Sequence, residues 1–126
     1  MSKASREFLR YKVVDLHTLK SEMESVNAPL QMSTFSAGGC GFYCVEQVPA
    51  LVASSKRVFC TFTMEGVLPS PVRVQGNLVY SREIVANDKR VNFYGVHFIK
   101  PHRELVTPII DHLNKLHKAG QIQLAE

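Results

Sequence analysis

The chain has 126 residues, with 15 Lys and Arg against 11 Asp and Glu for a net charge of +4, and it is 45% hydrophobic and 21% charged. That is one domain's length in a globular composition, which excludes a disordered or fibrous chain, and no apolar run is long enough to cross a bilayer as a helix. The basic start, Met1-Ser2-Lys3-Ala4-Ser5-Arg6, leads into no apolar stretch, so no secretory signal is read there, and the small cationic excess favours an anionic partner without distinguishing a nucleotide from DNA or a membrane surface.

In chain order, Asp15 to Val26 is ambiguous: Leu16, Leu19, Met23 and Val26 keep a helical spacing, while Leu19, Ser21, Met23 and Ser25 form one strand face. The β-rich surroundings favour two strands joined as a hairpin, with the turn at Asn27-Ala28-Pro29 leading into Leu30-Gln31-Met32. A Gly-Gly turn precedes the strand Gly41 to Val45. Arg57 to Met64 places Val58, Cys60, Phe62 and Met64 on one face and Phe59, Thr61 and Thr63 on the other. Gly66 to Pro71 reads as a connection, Val72 to Tyr80 as a strand with a bulge at Gly76, and Asn87-Asp88 as a hairpin turn into Arg90 to Phe98. Short strands between turn signals predict an antiparallel barrel or sandwich.

After Pro101 the period changes. Leu105, Ile109, Leu113 and Leu116 share one helical face, Thr107-Pro108 serves as N-cap and first helical residue, and Gly120 ends the helix after Lys115 and Lys118. This helix is expected to cover a barrel end. The three cysteines, Cys40, Cys44 and Cys60, have no C-x-x-C spacing and no histidine at a ligand spacing, so they are read as small core residues of a protein in a reducing cytoplasm and not as a metal site.

No metalloprotease, P-loop, nucleophile-elbow or dinucleotide-binding signature is present, His112 and His117 are five apart, and His17, His97 and His102 are isolated, so no enzyme activity is expected. Two features carry binding chemistry instead. Arg6-Glu7-Phe8-Leu9-Arg10 is an R-x-x-x-R in a basic arm, and a guanidinium fork suits both phosphate oxygens and the guanine edge. In Ser33-Thr34-Phe35-Ser36-Ala37-Gly38-Gly39-Cys40-Gly41, hydroxyls and consecutive glycines can bring backbone N–H groups against an anion. Together they suggest a site for a phosphorylated guanine ligand.

In these motifs the sequence resembles the PilZ domains, bacterial receptors for cyclic di-GMP, which carry an N-terminal R-x-x-x-R and a later [D/N]-x-S-x-x-G. Arg6 and Arg10 match the first; Ser36 and Gly39 match the second; Gly95-Val96-His97-Phe98 looks like the family's late strand. The resemblance implies a mainly β fold, a six-stranded antiparallel β-barrel with a C-terminal α-helix, as one domain over 1–126: an arm at 1–12, the barrel at 13–100 and the helix at 101–120. It implies that Arg6 and Arg10 grip phosphate and guanine, with Thr34, Ser36, Gly38 and Gly39 lining the opposite wall. The implied ligand is cyclic di-GMP, with no cofactor. The implied partner is a downstream protein, with no DNA, for a cytoplasmic monomer or weak dimer. Thr34 stands where the family has Asp or Asn, and its hydroxyl lacks their two-point contact to a guanine edge. Two rivals follow: a degenerate domain that binds no nucleotide and serves as an interaction adaptor in motility or pilus machinery, and a small barrel that binds single-stranded nucleic acid through Phe42, Tyr43, Phe59, Phe93 or Tyr94, aromatics whose ordinary place is the core.

Overall fold

Alternating apolar positions fold into a single antiparallel sheet in the computed structural model, which describes residues 8–24, 30–45 and 56–125. Its strands are β1 (Tyr11–Lys12), β2 (Leu19–Met23), β3 (Gln31–Ser36), β4 (Gly39–Cys44), β5 (Lys56–Met64), β6 (Val72–Ala86) and β7 (Lys89–Phe98). They run in the order β1-β3-β4-β7-β6-β5-β2 and curl into a half-barrel. The fold is thus mainly β with a C-terminal helix, as expected, but with seven strands among the described residues where six were anticipated. The two-residue β1 comes from the end of the basic arm.

The inner face is the core. On β5, Val58, Cys60, Phe62 and Met64 are buried while Phe59, Thr61 and Thr63 are half-buried, which is the alternation read from the sequence. Phe35, Phe62 and Phe98, from three strands, pack ring to ring at 5.2–5.8 Å. Phe42 and Tyr94 are buried with them, whereas Tyr43, Phe59 and Phe93 are only half-buried. Cys40, Cys44 and Cys60 are free and buried, and no group of three or more potential metal ligands occurs among the described residues. Burial first, and the neighbouring Cys60 thiol second, push the Cys40 thiol well above its ordinary range.

Asn87 and Asp88 both take positive φ, 53° and 62°, as the two-residue turn that joins β6 to β7 requires. The expected pairing of the two early strands does not form: β2 pairs with β5 and β3 with β4 and β1, so the two are separate elements at different places in the sheet. The expected turn at Asn27-Ala28-Pro29 lies outside the described residues. The β6–β7 irregularity falls between Leu78 and Tyr80, not at Gly76, which pairs regularly with Phe98. A Cβ at Gly76 would lie 2.7 Å from the His97 carbonyl oxygen, so close approach of β7 and not a bulge demands the glycine there.

The C-terminal element begins as a 3₁₀ turn, Lys100–Val106, that continues into α1, Thr107–Lys118. Thr107 is therefore the first helical residue and Val106 the N-cap, with no side-chain cap bond, because the helix continues an existing turn instead of starting from extended chain. A 3₁₀ turn has three residues per turn, so Val106 and not Leu105 lies three residues before Ile109 on the buried face. Val106, Ile109 and Leu113 are fully buried and Leu105 is 41% exposed. Gly120 stops α1 as read, at φ 76°, with Gly120 N–H donating to His117 O and Gln121 N–H to Leu116 O.

Candidate ligand-binding site

The sheet's outer face carries a cleft of about 210 Å³ lined by Arg10, Thr34, Ser36, Gly39, Gly41, Gly95 and His97, with Phe35, Cys40 and Val96 between them. Strand register explains this convergence. Thr34 opposes Gly41, which opposes Gly95; Ser36 opposes Gly39, which opposes His97. Three glycines therefore leave the floor without side chains, flanked by two hydroxyls on β3 and an exposed imidazole on β7. Thr34 leans over the floor: a Cβ at Gly41 would meet its Oγ1 at 2.7 Å.

Arg10 is positioned by backbone pairing on both sides of its segment. Tyr11 and Lys12 pair with Phe35 and Thr34 of β3. On the other side Lys12 N–H donates to Gln123 O and Ala125 N–H to Arg10 O, both at 2.8 Å. The segment after α1 thus clamps the root of the arm, a contact absent from the sequence reading. Its signal was the alternation of Ile122 and Leu124, both half-buried against the core.

The turn between β3 and β4 is braced by Ser36. Its Oγ accepts from Gly38 N–H at 3.3 Å and donates to Gly39 O at 3.2 Å. A hydroxyl has one hydrogen and two lone pairs, so one lone pair remains to accept from a ligand N–H. Gly38 is not in the cleft wall, contrary to expectation, because the Phe8 ring covers it: a Cβ at Gly38 would fall 2.7 Å from that ring. The Arg103 guanidinium lies over the other part of this contact, 5.3 Å from the Phe8 ring centroid.

Of the six residues singled out from sequence, Arg10, Thr34, Ser36 and Gly39 meet in one cleft, Gly38 lies beneath Phe8, and Arg6 falls outside the described residues. Gly41, Gly95 and His97 were missed as site residues. Two of them were visible in the late-strand motif Gly95-Val96-His97-Phe98, where alternate residues share a face. The cleft gathers positive charge at Arg10, with Lys12 exposed beside Thr34 on the same face, and offers hydroxyl acceptors over an accessible backbone. This combination can hold an anion and read an adjoining hydrogen-bond donor edge.

No protein-family model and no characterised protein sequence matches the chain. Solved structures do. The PilZ domain of YcgR from Escherichia coli, in complex with c-di-GMP, superposes at a TM-score of 0.66 with 15% identity, over 93% of this chain and 98% of that one. PlzA of Borreliella burgdorferi, also with c-di-GMP, gives 0.62 and 15%, over 99% of this chain and 57% of that one. The Bacillus subtilis inhibitor of motility MotI/DgrA gives 0.56 and 15%, over 88% and 52%. The chain thus spans about half of the latter two proteins, and its described residues have the fold of a PilZ domain.

Proposed function

We propose that this PilZ-fold chain is a receptor for cyclic di-GMP that signals to another protein rather than catalysing a reaction. The observation that carries this is the meeting of Arg10, Thr34, Ser36 and Gly39, residues from two separate sequence motifs, around one glycine-floored cleft. In support, two proteins of the same fold were solved with c-di-GMP.

In this reading Arg10, just before β1, grips a phosphate or a guanine edge, and Arg6, the other arginine of the first motif, supplies a second guanidinium to the ligand. The remaining lone pair of Ser36 accepts from a guanine N–H, and the bare backbone at Gly39, Gly41 and Gly95 lets the ligand lie close to the sheet. The signal leaves through the root of the arm. Arg10 and Lys12 are hydrogen-bonded to residues 123–125, which follow α1, so a ligand that pulls on Arg10 acts on the C-terminal segment as well. A partner protein that binds the arm or that segment then distinguishes the two states. Three free cysteines agree with a reducing cytoplasm as the place of action.

A second reading rests on Thr34: without a carboxylate or amide at that position, the domain serves as a nucleotide-independent adaptor in motility, and the likeness to an inhibitor of motility supports that setting. Titration calorimetry with cyclic di-GMP decides between the two. Micromolar or tighter binding, abolished in Arg6→Ala and Arg10→Ala, supports the receptor; no heat from folded protein supports the adaptor.

A further inference from the structure

On the outer face, one step along the strands from the glycine floor, two aromatic rings stand where soluble sheets ordinarily present polar residues. Tyr43 of β4 opposes Phe93 of β7, and their rings are 6.1 Å apart and tilted by 36°. Both are half-buried. The same row continues to exposed Gln31 on β3 and exposed Arg82 on β6, each directly opposite its aromatic neighbour. Because Gly41 lies two residues before Tyr43 and Gly95 two residues after Phe93 on the same face, no side chain from β4 or β7 rises between the cleft and the rings.

We infer that the Tyr43–Phe93 pair is a stacking platform for a purine base, with Arg82 and Gln31 at its ends supplying hydrogen bonds to the base edge. Four observations converge on a purine. The paired rings make an apolar surface of about one base's length. A guanidinium and an amide, the side chains that pair with purine edges, border it in register. The cleft itself, about 210 Å³, is below the roughly 300 Å³ at which pockets begin to enclose drug-sized ligands. And no side chain of β4 or β7 stands between that floor and the rings, so a ligand with two bases can continue onto them past the Thr34 hydroxyl, which leans over Gly41. The inference rests on the cyclic di-GMP reading above. It adds that one base lies in the glycine-floored cleft and the other on the aromatic pair, which offsets the contact that Thr34 cannot make.

The test uses the full chain and cyclic di-GMP. Tyr43→Leu and Phe93→Leu keep apolar cover but remove the aromatic face, and Phe59→Leu, an outer-face aromatic on β5 already covered by Arg73, is the control. Base–aromatic stacking predicts that each platform variant loses about tenfold in affinity while the control stays within about twofold. Melting curves confirm that all three remain folded. The chain has no tryptophan, so Tyr43→Trp introduces a single indole whose emission a stacked guanine quenches. Wild-type binding with unchanged affinity in both platform variants and no quenching overturns the platform but leaves the receptor standing. Absence of wild-type binding overturns both.

Discussion

Replacing Gly39 by alanine isolates the packing on which the cleft depends. Gly39 matches the last position of the second motif, yet its backbone position suggests a mechanical role. A Cβ placed there lies 2.1 Å from the Val96 carbonyl oxygen, 3.1 Å from Val96 C and 3.2 Å from His97 Cα. Carbon and carbonyl oxygen do not ordinarily approach closer than about 3.3 Å, so β4 and β7 must part by roughly 1 Å. All three contacts are backbone, and no rotamer change relieves them. The separation strains the Phe98 N–H bond to Gly38 O, now 2.9 Å, and the adjoining Cys40–Val96 pairing. Two weakened backbone bonds at about 1 kcal/mol each, together with overpacking strain, give a loss of about 2–4 kcal/mol. For a domain of this size that lowers the melting temperature by about 8–15 °C in a thermal scan followed by circular dichroism. A Gly39→Ala protein that melts within about 2 °C of wild type refutes the claim that β7's approach requires this glycine.

Gly38→Ala one residue earlier is expected to behave oppositely: its Cβ meets only the Phe8 ring, 2.7 Å away, so stability changes by less than about 1 kcal/mol while displacement of Phe8 weakens cyclic di-GMP binding measured by calorimetry. Unchanged affinity in a stable Gly38→Ala protein contradicts a role for the Phe8 contact. Thr34→Asp restores a two-point acceptor beside Gly41 and tightens cyclic di-GMP about tenfold or more; equal or weaker affinity contradicts the assignment of Thr34 to that contact. The Cys40 thiol is held protonated in the folded chain by burial and by Cys60, so the unfolded chain loses this proton first. Stability therefore falls as pH rises past the ordinary thiol value of about 8.5 and is insensitive to Cys40 below it. Urea midpoints from pH 7 to 10 should decline less in Cys40→Ala than in wild type, and parallel declines contradict the assignment.

What the sequence revealed depended on the range of the interactions. Period-two burial on β5, the Asn87-Asp88 turn and the Gly120 stop are local, set by residues within a few positions of each other, and they were legible. The partner of β2 was not, because pairing with β5 is decided by a core contributed from the whole chain. Leu105 differs for a subtler reason: an α-helical period continued back from α1 does not account for the 3₁₀ turn over Lys100–Val106, which moves the buried position to Val106. In the candidate site, Arg10, Thr34, Ser36 and Gly39 from the two motifs line one cleft, since a hairpin and an adjoining arm bring them together. Phe8 was hidden between two arginines that drew attention to charge, although an aromatic in a basic arm is itself a docking signal. That His97 stands beside Gly39 and Ser36 needed the β4–β7 register, which alternation along β7 does not supply.

The location of the ligand is the central claim, and backbone amide shift mapping by NMR during a titration with cyclic di-GMP tests it most directly. The largest shifts are expected at Arg10, Thr34, Ser36, Gly39, Gly41, Gly95 and His97, the residues that line one cleft on the outer face. Saturating ligand that leaves these amides unmoved, or shifts that gather instead in the groove between Leu19 and Met32, would contradict it.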